Sequence, residues 1–374
     1  VRADTPSLGD VLSAHLHAVA ALGVKHPKTQ VTQGRLDGLG LEGTFQSWRD
    51  GQKERDDETL GLRTQRTLRV GDTEYVQNQN GDVRVLHGLL ARRQITEDFI
   101  DSGAFARHPE NDELVGPATL RDGRSVWRVR VAPAGGEAYV VAIDVKTGMI
   151  DQEAYVDGDS VITATYDDYR VVDGALVPFT EVDSSGAAEF DITSHVERVD
   201  VNRPIESAIF EPFTSTVIDA AEPVTVPLLL DRGHLFVRAS AGGKPLLMLV
   251  DTGSQGIFLD PGAAQRLNLK TEGRLEVRGA RRTSGLGVAA LEGIDIGRAR
   301  LPVHVVSVVD LSSVVYNNST IDGVLGYPFF AAAEVRIDPD RLTMTIAKPG
   351  TLTPQGTQIA VDTDRELPET NTTI

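Results

Sequence analysis

No cysteine occurs among the 374 residues. That absence removes cysteine-protease chemistry, thiol redox work, thiolate metal sites and disulfides together. No apolar run approaches the length needed to cross a bilayer. Positive charge is scarce: 37 Lys+Arg against 54 Asp+Glu leave a formal net charge of −17. Such a balance argues against a nucleic-acid backbone or an anionic membrane surface as partner. An initiating Met is also lacking, since the chain opens on Val1, and it reads as a mature or trimmed soluble chain. Continuation beyond Ile374 stays open, and composition alone leaves the compartment undecided.

What is there suits two domains, each with length for a sizeable core. The charge is unevenly spread: residues 1–221 carry a net −15, residues 222–350 a net +1, and residues 351–374 a net −3. The change in character falls at Ser215 to Glu222, a short linker, with Pro223 opening the second domain. The polar stretch from 351, with Pro354, Gly356 and Pro368, reads as a tail or the start of a further segment.

The most informative stretch is Pro245-Leu246-Leu247-Met248-Leu249-Val250-Asp251-Thr252-Gly253-Ser254. A buried apolar strand there ends on a carboxylate, and Gly253 lets neighbouring main chain come close enough to hold that carboxylate rigidly. The hydroxyls of Thr252 and Ser254 are suited to orient Asp251 or stabilise its charge. A second Asp-hydroxyl-Gly tripeptide, Asp101-Ser102-Gly103, shows that the pattern alone decides nothing. Asp251 differs in having Val324-Leu325-Gly326 downstream, a short apolar run closed by glycine.

These elements resemble the aspartic proteases, in which an Asp-Thr-Gly turn is backed by a hydrophobic-hydrophobic-Gly strand. The resemblance covers about residues 222–350 and is to bacterial retropepsin-like, single-lobe aspartyl proteases. It implies a β-barrel with Asp251, Thr252 and Gly253 as catalytic turn and with Ser254, Val324, Leu325 and Gly326 in support. The glycine-rich stretch with Gly279, Thr283, Ser284, Gly285 and Gly287 lies where such an enzyme carries its flap. Val335 to Ile346 reads as two alternating strands around a turn.

The front half opens with a helical pattern over Ser7–Leu22, with Leu8, Val11, Leu12, His15, Val19 and Leu22 on one face, Ser7 as N-cap and Gly23 as stop. His15 and His17 point to different faces and read as packing and solvent rather than as a metal pair. From Thr32 to Phe213 short alternating segments separated by turns, such as Thr73–Gln77, Asn80-Gly81-Asp82 and Val83–Leu86, predict an antiparallel sheet. Gly38-Leu39-Gly40-Leu41-Glu42-Gly43 matches the dinucleotide fingerprint in form only, because a strand and turn follow it instead of a helix. The acidic runs Asp56-Asp57-Glu58 and Asp167-Asp168 lack ligand spacing and read as solvated faces. Trp127–Val131 with Ala142–Ile150, and Val199–Ile205 with Ile209–Pro212, resemble the periplasmic lipoprotein-carrier (LolA-like) fold. That resemblance spans roughly residues 5–214 and implies a sheet curved around helices, an apolar concavity and an envelope compartment such as the periplasm.

The expected fold class is therefore mainly β (α+β), a LolA-like half-barrel followed by an acid-protease barrel. The expected activity is aspartic endopeptidase, with a peptide or protein substrate and no cofactor or metal. One lobe supplies one aspartate, so the second comes from another copy and a homodimer is implied. The alternative is a non-catalytic envelope protein holding an apolar or lipid-like ligand, or a lipoprotein, in the front domain.

Overall fold

In the computed structural model, which describes residues 5–275, 286–363 and 367–370, Ser7 caps a helix over Leu8–Ala21. Ser7 and Asp10 cap each other: the Asp10 N–H donates to Ser7 Oγ (3.2 Å) and the Ser7 N–H to Asp10 Oδ2 (2.9 Å), satisfying two of the donors that a helix start leaves free. Leu22 ends the helix and Gly23 follows at φ +66°. The helix buries Val11, Leu12 and His15, and His17 faces solvent, as their spacing predicts.

Contacts divide the chain into two units, the first of Val1–Glu58, Arg69–Glu74 and Leu86–Phe210 and the second of Thr59–Leu68, Tyr75–Val85 and Glu211–Ile374. Thirteen strands between Thr29 and Val201 form one sheet, joined by hairpins such as Thr29–Gly38 with Leu41–Asp50 and Ser125–Val131 with Tyr139–Asp144. The first of these hairpins turns at Leu39 and Gly40, both at positive φ (56° and 72°). The glycine-rich hexapeptide is therefore a tight β-turn, the geometry that a two-residue hairpin loop demands. In the first unit Val129, Val131, Tyr139, Val141 and Ile143 pack against Val11 and Leu12 of the helix and against Ile100, Phe105 and Ala106.

The sequence pattern does not reveal those last three as helical, yet Gly88–Asp101 and Ala104–Arg107 are helices. The reason is the chemistry of the buried face, which carries Arg93 and Thr96 beside Ile100. Arg93 is buried with its guanidinium 4.3 Å from the Tyr155 ring centroid and bonded to Val156 O and Asp157 Oδ1 (3.2 and 3.1 Å). Thr96 donates to Glu137 O at 2.6 Å. Polar groups with partners replace an apolar stripe, so no apolar 3.6-residue period is left to read. Asp101-Ser102-Gly103 is the end of this helix, with Gly103 left-handed at φ +65°; it caps a helix and presents no strand-end carboxylate.

The second unit is built on a mixed sheet whose strands run in the order Thr271–Leu275, Leu286–Ala290, Val305–Val308, Ile257–Leu259, Gly323–Leu325, Lys244–Val250, His234–Ala241, Val224–Asp231, Thr343–Ala347 and Glu334–Asp338. The last two are the alternating pair expected around residues 335–346. A core of fully buried side chains, among them Val237, Met248, Leu259, Ile294, Leu325, Phe329, Met344 and Ile346, fills this unit. Both units being β-rich, the fold class is mainly β, as expected.

Candidate active site

Lys244–Val250 is a strand flanked on one side by His234–Ala241, antiparallel, and on the other by Gly323–Leu325, parallel, with Met248, Leu249 and Val250 opposite Gly323, Val324 and Leu325. The chain leaves Val250, turns through residues 251–256 and returns as Ile257–Leu259, antiparallel to the other edge of that same short strand. Gly323–Leu325 is thus inserted between two segments that are neighbours in sequence. Val324 packs with Phe236, Leu249, Val309, Leu311 and Ile321, whereas Leu325 belongs to the main core. A strand buried on both faces needs consecutive apolar residues, and the Val-Leu pair supplies them.

The glycines at its two ends allow the close approach. A Cβ on Gly326 would lie 2.2 Å from Gly256 O and 2.4 Å from Ser254 O, and one on Gly323 would lie 2.3 Å from Phe258 O. Only glycine lets the strand run this tightly behind the turn.

Asp251 sits at the exit of the parallel pair, half-buried. Its N–H donates to Leu325 O (3.1 Å), its carbonyl accepts from the Ser254 N–H (3.3 Å), and its Oδ1 accepts from the Gly253 N–H (2.9 Å). Ser254 O in turn accepts from the Tyr327 N–H at 2.7 Å. The bond that orients the carboxylate comes from the main chain of Gly253, and Ser254 anchors the turn through its own main chain, where the sequence pointed to hydroxyls. Thr252 and Gly253 are exposed. An aspartate whose main chain is bonded at both its N–H and its carbonyl, and whose half-buried carboxylate accepts one backbone N–H, can act as an acid or base on a bound molecule.

Two other acids of this unit are engaged. Asp322 accepts from the Leu247 N–H (2.7 Å) and pairs with Arg266, while Asp260 caps the helix Pro261–Arg266 through the Gly262 N–H (2.8 Å) and accepts from the Leu311 N–H (3.3 Å). Asp322 precedes Gly323, so the length of the strand Gly323–Leu325, roughly 10 Å, separates it from the Asp251 end. Asp322 is not signalled by the sequence, because its partners lie 56 and 75 residues away, and the bond of Asp260 to Leu311, 51 residues away, is hidden in the same way.

Of the flap candidates, Gly287 lies in Leu286–Ala290, where a Cβ would come within 2.5 Å of Glu272 O in the antiparallel partner Thr271–Leu275. Gly279, Thr283, Ser284 and Gly285 lie outside the described residues.

The first unit holds carboxylates on the inner side of its sheet that the sequence also hides. Glu153, opposite Val141 in the ladder, is 8% exposed, and burial, reinforced by Asp101, Glu97 and Glu181, pushes it up to about 8. Burial likewise raises Glu97, which accepts from the Tyr139 hydroxyl at 2.6 Å. Burial lowers His15, whose Nδ1 lies 2.8 Å from Gly148 O, so the neutral ring is favoured and it packs against Phe105. Among the described residues no three His, Asp or Glu side chains form a metal-binding group, and no helix is long and apolar enough to cross a membrane.

Residues 237–329, which include Asp251 and Gly326, match the family described as aspartyl protease. No curated protein matches the chain. Among solved structures the chain is similar to a DUF1329 family protein from Desulfovibrio piger, at 14% identity over 55% of this chain and 98% of that one, with a TM-score of 0.37. It is similar to a LolA superfamily protein from Nitrosomonas europaea, at 12% identity over 54% and 97%, TM-score 0.36. It is also similar to a retropepsin-like aspartic protease from Rickettsia conorii, at 19% identity over 35% and 92%, TM-score 0.25.

Proposed function

We propose that the protein is an aspartic endopeptidase whose dyad is formed by Asp251 of two chains paired through residues 222–350. The observation that carries this reading is the Asp251 turn itself, clamped from behind by the strand Gly323–Leu325 with Gly326 directly after it, and closed by the Gly253 N–H on the carboxylate. The match of residues 237–329 to the aspartyl protease family supports it.

The chemistry follows from placing two such turns about a twofold axis. Carboxylates about 3 Å apart cannot both ionise, so the pair shares one proton. The ionised member takes a proton from water as it attacks the scissile carbonyl, and the protonated member donates to the carbonyl oxygen; the C–N bond then breaks as the newly protonated member gives its proton to the leaving nitrogen and the other takes one from a hydroxyl of the tetrahedral diol, which restores the shared proton. Thr252 of each chain, exposed in the single chain, would bond across the axis. The near-neutral charge of residues 222–350 favours pairing through this part, since two copies of the −15 half would repel.

Asp251→Asn tests the assignment, because the nearly isosteric amide keeps the fold while removing the group that shares the proton. Loss of peptide hydrolysis with unchanged thermal unfolding is expected; retained hydrolysis would reject Asp251.

The second reading gives the front domain an apolar or lipid-like ligand in an envelope compartment. Its inner apolar residues, however, already pack against Val11, Leu12, Ile100 and Phe105, and Glu153 adds a carboxylate to the same sheet face. We therefore favour the protease, placed in the cell envelope, with the front domain positioning it or its substrate.

A further inference from the structure

The turn Asn78–Asp82 belongs to the second unit although the bulk of that unit, Glu211–Ile374, begins more than a hundred residues later. Asn80 at its tip is 8% exposed, and both ends of its side-chain amide are engaged. Oδ1 accepts from the N–H groups of His304 (2.9 Å) and Val305 (3.0 Å), and Nδ2 donates to Val305 O (3.0 Å). One side-chain amide thus treats Val305 as a neighbouring strand would, meeting both its N–H and its C=O.

Val305 opens the strand Val305–Val308, and that strand has two neighbours of consequence. On one side it pairs with Leu286–Ala290, the strand that carries the flap candidate Gly287, with Val305 opposite Ala290. On the other it runs parallel to Ile257–Leu259, but only Ser307 and Val308 find partners there, Phe258 and Leu259. Upstream of Ile257 the chain has already turned away to form the Asp251 loop. The register therefore leaves Val305 without a ladder partner on that side, and the Asn80 amide supplies one.

The turn is shaped to hold it. Asn78 Oδ1 accepts from the N–H groups of Asn80 and Asp82 (3.0 and 3.2 Å), and the Gly81 N–H donates to Asn78 O (2.9 Å). Gly81 has φ +76° and its carbonyl accepts from the Thr216 N–H at 2.8 Å. A Cβ there would lie 2.2 Å from Thr216 Oγ1, so glycine is required both by conformation and by space.

We infer that Asn80 is a positioning residue for the proposed protease site: it fixes the start of Val305–Val308 and, through that strand's two pairings, the strand Leu286–Ala290 and the return limb of the Asp251 turn. Its effect on catalysis rests on the protease reading; the local anchoring does not.

The test uses the full chain with Asn80→Ala, Asn80→Asp and Gly81→Ala, followed by hydrogen exchange and peptidase kinetics. Truncation at Asn80 removes three hydrogen bonds and leaves buried main-chain groups unpaired, so exchange across 304–308 and 286–290 should quicken by at least about tenfold. Exchange across Tyr139–Asp144, in the first unit, should stay at the parent rate. Asn80→Asp keeps both acceptor bonds but sets an oxygen against Val305 O where the donor stood, so it should restore protection at the His304 and Val305 N–H groups in part, and Gly81→Ala should reproduce the Asn80→Ala pattern by displacing the turn. In the activity arm kcat/KM should fall about tenfold for Asn80→Ala and recover in part for Asn80→Asp. Parent-like exchange in Asn80→Ala would overturn the anchoring, and faster exchange with unchanged kcat/KM would overturn the positioning role. A parent protein without peptidase activity would reject the protease reading and with it the positioning role, while the exchange data would still decide the anchoring.

Discussion

Replacing Gly326 by alanine should damage the proposed activity far more than one methyl group suggests. The new Cβ would be placed 2.2 Å from Gly256 O, 2.4 Å from Ser254 O and 3.0 Å from Ser254 C. All three are main-chain atoms, so no side chain can swing aside. Ordinary van der Waals separation requires the strand and the Asp251 turn to part by about 1 Å. The strand cannot retreat freely, because Leu325 is in register with both Val250 and Ile257 and its carbonyl accepts from the Asp251 N–H. Overpacking of this kind costs ~1–3 kcal/mol, and a catalytic group misplaced by 1 Å loses about 100-fold in rate. Gly326→Ala should therefore lower kcat/KM about 100-fold and lower the melting temperature of the second unit by roughly 2–12 °C. Both tryptophans, Trp48 and Trp127, lie in the first unit, so their fluorescence reports that unit alone, and a calorimetric transition that fluorescence does not share belongs to the second. Gly256→Ala is the matched control, since its Cβ would meet only the ring of Phe258 at 3.2 Å and should cost less than about threefold in kcat/KM. Parent-like kcat/KM and melting in Gly326→Ala would refute the claim that this glycine sets the carboxylate.

Three further outcomes are expected. Asp101→Asn should leave peptidase activity intact, since Asp101 ends a helix of the first unit; loss of activity without unfolding would make Asp101 the missing second acid. Specific activity should rise with protein concentration as sedimentation reports conversion to a dimer, and full activity in a strictly monomeric species would sink the shared dyad. Glu153 is pushed up to about 8 in the folded chain, so its neutral form is favoured there, and the stability it contributes is complete below about pH 4 and lost as pH climbs through about 8. Glu153→Gln, which never ionises, should therefore raise the tryptophan-detected melting midpoint at pH 9, by on the order of 2 kcal/mol in stability, and change little at pH 4; an equal change at both pH values would contradict the assignment.

Local signals were legible where the physics is local. The N-cap at Ser7, the turn at Asn80-Gly81-Asp82 and the alternating strands ending at Thr343–Ala347 each depend on residues within a few positions of one another. The strand-end carboxylate and its backing strand are 75 residues apart, yet remained legible because each half keeps its own pattern: an apolar run that stops at Asp251, and an apolar pair that stops at Gly326. The helix Gly88–Asp101 was lost because its buried face is Arg93, Thr96 and Ile100, and a period built on hydrophobicity does not register an arginine stacked on a tyrosine.

Asn80 marks where such reading runs out. Its tripeptide Asn80-Gly81-Asp82 announces a turn, and a turn is formed; nothing within ten residues tells that the amide at its tip is bonded 225 residues away. The need for it arises elsewhere, from a strand whose neighbour turns away to present Asp251. A side chain recruited to complete another segment's hydrogen bonding carries no period and no spacing of its own, and becomes visible only when the unpaired main-chain groups of that segment are followed to their partners. The same holds for Asp322, whose carboxylate meets the Leu247 N–H and Arg266. In both cases a polar side chain completes the frame around Asp251 without touching it, so substitutions there should alter the site through geometry, leaving the chemistry of the carboxylate itself unchanged.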